Sequence, residues 1–177
     1  MRPAYGAKEN GIGEHPATII VDVANVMGSR PDGWWRDRAG AAVRLHADVA
    51  ALAASDRPVL PDQADPPRFV MVLEGAARPA AARIDAAQGG ADGRVRVVQA
   101  DGSGDDAIVA LVRELPGRRF VVTADRELQR RCVAAGAAIL RPGWLLGLVR
   151  EPLSGAFIGP PGPFNRAAPL SLSPPAL

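Results

Sequence analysis

Six acidic residues stand at or just beyond the ends of apolar runs. Asp22 closes TIIVD, Glu74 closes RFVMVLE, and Asp101 follows RVRVVQA. Asp105 and Asp106 come one short loop later, and Asp125 follows RRFVVTA. Singly, each has an ordinary structural role. Asp125 fits a helix N-cap, and Asp105 and Asp106 complement a helix dipole, an effect of ~0.3–1 kcal/mol each. Ser103 with Asp106 mimics a capping box, and Asn25 suits a turn. Jointly the ordinary roles explain less. Four carboxylates converging on one cleft repel one another, and a cation relieves that repulsion. Ligand sets of oxygen alone suit Mg²⁺ or Mn²⁺. Such an ion activates water and steadies charge on a phosphodiester during in-line attack. Arginines at the rim hold a phosphate backbone, because the guanidinium fork matches phosphate.

Alternating strands and helices must position these groups. ATIIVDV (17–23), RFVMVLE (68–74), RVRVVQA (94–100) and RRFVVTA (118–124) are short runs rich in Val and Ile. AAILRP (137–142) gives a short fifth strand. Between them, 37–55 carries Ala42, Val43, Leu45, Val49, Leu52 and Ala53 at helical spacing. Residues 56–67 form a loop, and 78–92 hold a short helix before the turn GGADG. Ser103 fits the N-cap of a helix over 103–115, and Gly136 stops a helix over 125–136. GWLLGLVR (143–150) adds a last helical turn or two. Apolar strands alternating with helices imply a mainly parallel sheet of four to five strands, covered on both faces. In such sheets ligands bind at the carboxyl ends of the strands, where the acidic residues stand.

The chain has 177 residues, 47% hydrophobic and 23% charged, which suits one folded domain rather than wholesale disorder. Residues 1–16 read as a flexible leader, 17–150 as the domain, and 151–177 as a Pro-rich tail. Phe157, Ile158 and Phe164 are placed to drape that tail over the body. The net charge of +2 does not announce a nucleic-acid partner. The basic residues are nearly all arginine, clustered at Arg30, Arg36 and Arg38 and at Arg118, Arg119, Arg126, Arg130 and Arg131. No run approaches the ~20 apolar residues of a membrane helix, and the first residues lack the apolar stretch of a secretory signal. A cytoplasmic location is the default expectation. Cys132, the one cysteine, is expected to be a core residue. Only His15, in the leader, and His46, inside an amphipathic helix, exist to activate a thiol, so a thiol enzyme is disfavoured.

In order, VDVANV with Asp22 and Asn25, then SGDDAIV, then VVTADREL resemble the motifs of the NYN/PIN-like nuclease superfamily. The nearer likeness is to YacP-type NYN proteins. The resemblance covers roughly residues 17–147, and GSRPDGWWRDRAGAA and RPGWLLG look like the actinobacterial type. It implies a PIN-like three-layer sandwich, an acidic cluster that binds one or two Mg²⁺ or Mn²⁺ ions, and cleavage of RNA. Asp22 then matches the first-strand metal ligand, and Asn25 the asparagine that orients the loop. Asp105 or Asp106 matches the acid opening the middle helix, and Asp125 the aspartate of T-x-D. Glu74 is a looser fifth ligand. Substrate contacts are expected from Asn25, Ser29, Arg30, Thr123, Arg126 and Trp35. The family motif D-G-x-N reads D-V-A-N here, and Val23 in the glycine position disfavours positive φ.

In DGWWRDR, Trp34 and Trp35 stand beside arginines. An exposed tryptophan stacks on an unpaired base for ~1–3 kcal/mol, whereas an inserted one plugs a gap. Both readings are open, and a split role with one ring in and one ring out is compatible with each. RNA is the expected partner, with no preference for DNA inferable and a homo-oligomer left open. Two other functions compete. One is a non-catalytic PIN-like module that binds RNA or protein; the other is a small-nucleotide phosphohydrolase. A dehalogenase-type phosphatase needs a second acid where Ala24 stands, and the P-loop motif is absent.

Overall fold

The computed structural model describes residues 15–55, 57–61, 65–87 and 93–150. The tail and nearly all of the leader lie outside these residues, as do Phe157, Ile158, Phe164 and most of the GGADG turn. Five strands form one sheet: β1 (Thr18–Asp22), β2 (Arg68–Leu73), β3 (Val95–Gln99), β4 (Arg119–Val122) and β5 (Ala138–Leu140). Their order is β3-β2-β1-β4-β5, and every neighbouring pair is parallel. Among the described residues the sheet, expected to be mainly parallel, is wholly parallel and has five strands.

Among the described residues six α-helices surround it: α1 (Val23–Gly28), α2 (Arg38–Ala54), α3 (Ala80–Ala87), α4 (Gly104–Glu114), α5 (Arg126–Ala134) and α6 (Pro142–Arg150). Alternate strand residues face opposite ways, which splits the core in two. Ile19, Val21, Phe69, Met71, Leu73 and Val122 pack with α1, α2, α3 and α6. Ile20, Val70, Val72 and Val121 pack with α4 and α5, including Cys132 as a buried core residue. All of β1 is buried, as a central parallel strand requires. The edge strand β3 is only half covered and carries Arg96 and Gln99 outward. Among the described residues, no helix is long and apolar enough to cross a membrane.

Two local features differ from the sequence expectation. The chain after Asp22 enters a short helix rather than a turn, with Asp22 as its N-cap. Val23 is the first helical residue and is fully buried. A branched side chain is tolerated in a helical conformation, so Val23 needs no positive φ and serves the core instead. The last segment is also longer than one or two turns: α6 runs nine residues and starts on Pro142, a residue suited to the first helical position. Gly136, at φ 90, ends the turn after α5 as expected of a stop glycine.

Strand order fixes where a ligand can sit. From β1 the chain builds outward to β2 and β3, then crosses back to β4 and β5 on the other side of β1. The connections leaving β1 and β4 therefore part, and a crevice opens beyond the carboxyl ends of those two strands.

Candidate active site

The crevice is a cleft of ≈ 470 Å³ lined by Asp22, Ala24, Asn25, Gly28, Ser29, Glu74, Asp105 and Asp125. Four strand-end segments each deliver one carboxylate. Asp22 ends β1, Glu74 follows β2, Asp105 lies in the first turn of α4 after β3, and Asp125 follows β4.

Asp22 is the anchor. It is buried at 9% exposure, and both carboxylate oxygens have donors. The Asn25 backbone N–H donates to Oδ1 at 3.0 Å, and the Thr123 hydroxyl donates to Oδ2 at 2.9 Å. Burial pushes the Asp22 carboxyl above the usual range. The two hydrogen bonds pull it back, while the charges of Asp105 and Glu74 push it up again.

Thr123 also accepts from the Asp125 amide at 3.1 Å, so one hydroxyl ties β4 to two acidic residues. Asn25 Oδ1 accepts from the Ala124 amide at 2.9 Å and laces α1 to the loop after β4. Asp125 caps α5 by accepting from the Leu128 amide at 2.7 Å. Glu74 Oε2 accepts from the Gly104 amide at 2.8 Å and caps α4 from the neighbouring strand. Ser103 occupies the N-cap position but makes no capping bond through its side chain. A Cβ at Gly104 would lie 2.5 Å from that Glu74 oxygen, so the glycine admits the carboxylate.

The helix separates Asp105 from Asp106. Asp105 faces the cleft, and burial raises its carboxyl, with Asp125 and Glu74 adding to the rise. Asp106 is exposed and bonds to Arg131 of α5. Of the expected substrate contacts, Asn25 and Ser29 line the cleft, and Thr123 lies beneath Asp22. Arg30 is turned to α2, where it pairs with Asp48 at 3.1 Å. Arg126 is exposed at the start of α5, and Trp35 is exposed beyond α1. Ala24, Gly28 and Gly104 were not singled out from the sequence. Ala24 and Gly28 line the cleft and their small size leaves room there, while Gly104 admits the Glu74 carboxylate.

The donor set suits a hard divalent cation: all oxygen, with carboxylates that raise one another's affinity for protons. Among the described residues, no three acidic, His or Cys side chains are gathered closely enough to enclose an ion by themselves. Mg²⁺ does not require such a cage, because it keeps several waters and takes one or two carboxylates directly. Asp22, Asp105 and Asp125 are the residues that could hold it, with Glu74 beside them.

No protein-family model and no curated protein matches the sequence. The crystal structure of Rae1 (YacP) from Bacillus subtilis is similar, with a TM-score of 0.55 at 19% identity. The match covers 75% of this chain and 74% of that one. At that identity the likeness shows the fold alone: the chain shares the fold of Rae1 (YacP) over three quarters of its length.

Proposed function

We propose that the chain is a ribonuclease that hydrolyses RNA phosphodiester bonds with Mg²⁺ or Mn²⁺ at the acidic cleft. One observation carries this: four carboxylates from four strand-end segments line one cleft at the point where the sheet connections part. The bound ion supplies charge neutralisation and an activated water. The protein supplies orientation. Thr123 and the Asn25 amide fix both oxygens of Asp22, and the lacing of Asn25 to Ala124 keeps the two loops in register. Ser29, whose hydroxyl is bonded to the Asn25 carbonyl, and the exposed arginines offer contacts to the RNA backbone. The fold shared with Rae1 (YacP) agrees with the PIN-like architecture that the motif resemblance implies.

The test is cleavage of single-stranded and structured RNA with Mg²⁺, with Mn²⁺ and with chelator. Cleavage should require the metal, and Asp22→Asn should slow it by at least ~100-fold, as loss of metal-assisted charge stabilisation implies. Metal-independent cleavage, or full activity in Asp22→Asn, would defeat the proposal. Hydrolysis of free nucleotides in place of RNA would assign the cleft to a small-molecule phosphohydrolase.

A further inference from the structure

We propose that Trp35 is a stacking platform for an unpaired base of the RNA strand that occupies the cleft, an inference that rests on the function proposed above. Trp34–Arg36 form a short 3₁₀ turn that is braced on both sides. Gly33 precedes it at φ 77, and Asp32 accepts from the Trp34 amide at 3.2 Å. Asp37 follows and caps α2 through the Gly40 amide at 2.7 Å.

The two tryptophans divide their roles. Trp34 is half-buried against the larger core cluster, and the Arg38 guanidinium lies 5.1 Å from its ring centroid. A Cβ at Gly28 would lie 3.8 Å from the Trp34 ring, so Trp34 abuts a residue that lines the acidic cleft. Trp35 meets Trp34 edge to face, with centroids 6.3 Å apart and planes at 85°. It is 57% exposed, and among the described residues only Val133 is another large apolar side chain so open. The rings thus lead outward from the cleft wall at Gly28 to an open indole held in place by its neighbour.

The surrounding charge selects the occupant. Arg36 follows Trp35 directly and is exposed, as is Arg38, whose guanidinium lies over the neighbouring Trp34 ring, while the carboxylates of Asp32 and Asp37 accept backbone N–H groups. A flat apolar face beside guanidinium groups matches a nucleobase and its phosphates. Bases in a duplex are stacked on one another, so a single strand is the form that fits.

Fluorescence anisotropy with a labelled oligouridylate tests this, in EDTA and in Ca²⁺, with the same RNA as a duplex for comparison. Trp35→Ala should weaken single-strand binding by roughly 5- to 150-fold, the range that stacking on one base supplies. Trp35→Phe should restore most of the affinity. Duplex binding should not change. An oligonucleotide with one abasic position at the stacked base should bind wild type more weakly and Trp35→Ala no more weakly than the intact strand. Equal affinity of wild type and Trp35→Ala overturns the inference, and leaves the indole as a contact for a protein partner. Equal losses for single strand and duplex overturn it too. If wild type cleaves RNA while Trp35→Ala binds it unchanged, the platform fails and the ribonuclease stands. If Trp35 governs binding but metal never promotes cleavage, the ribonuclease fails and the platform stands.

Discussion

Thr123 donates its hydroxyl hydrogen to Asp22 Oδ2 over 2.9 Å, across 101 positions of sequence. The bond joins the carboxyl ends of adjacent parallel strands, β1 and β4, and steadies the most deeply buried acid of the cleft.

Replacing Thr123 by Val keeps the shape and removes the donor. Loss of a partner from a buried polar group costs ~1–3 kcal/mol. The cost depends on pH. Burial already holds the Asp22 carboxyl above its ordinary value of 3.8, and losing the Thr123 donor lifts it further. A group with a raised folded value contributes most to stability below its unfolded value, and that contribution is lost as pH rises through the folded one. Thr123→Val should therefore cost more stability at pH 8 than at pH 4. Urea unfolding in EDTA at the two values checks this, and Thr123→Ser should stay close to wild type.

Glu74 and Gly104 form a second long-range pair, in which a strand-end carboxylate caps a helix. Glu74→Ala removes the cap and should cost ~0.5–2 kcal/mol. Gly104→Ala should act in part through the same contact, because its Cβ collides with the Glu74 carboxylate. The double variant should then lose less than the sum of the two single losses, as expected for residues in contact. Thermal unfolding of the three variants measures the coupling.

The sheet and its acidic rim were legible in the sequence because they follow from local pattern. Val- and Ile-rich runs mark the strands, and the acids after the first, second and fourth runs fall at the carboxyl edge. What was not legible depends on contacts distant in sequence. Asp105 and Asp106 are adjacent, yet successive helix positions point in different directions, so only the packing of α4 decides which enters the cleft. Ser103 has the composition of an N-cap, but Glu74, 30 positions before Gly104, takes the amide of that glycine. Arg30 has the look of a phosphate contact, but Asp48 on α2 holds it. Val23 departs from the D-G-x-N pattern, but the helix that begins there makes it a core residue.

On the proposed function, Asp105 would link stability to the metal. Its carboxyl is raised by burial and by Asp125 and Glu74, so its charge is unfavourable in the protein without metal. Asp105→Asn should raise Tm at pH 8 in EDTA by roughly 1–2 °C, a small gain because water screens a group so open. The gain should shrink as pH falls towards the ordinary value of 3.8, where the wild-type carboxyl is protonated as well. Adding Mn²⁺ should reverse the order. A ligand at 100 times its Kd stabilises the folded state by ~2.7 kcal/mol, and wild type should gain more from the ion than Asp105→Asn. Calorimetry with and without Mn²⁺ reads both effects, and an equal response of the two proteins would remove Asp105 from the metal site.

Cys132 offers a probe of the smaller core. It packs there with residues of β1 and α4, and burial pushes its thiol up to about 11. The thiolate is the reactive form, and at pH 8 only about one thiol in a thousand carries it. Burial also keeps reagents away. The folded protein should therefore resist a disulfide reagent at pH 8, and labelling should follow the opening of the α4–α5 layer. Labelling rates measured across a urea series below the unfolding midpoint should rise with denaturant, as opening exposes the sulfur. A rapid rate in the absence of urea, unchanged by denaturant, would show that Cys132 is accessible in the folded state.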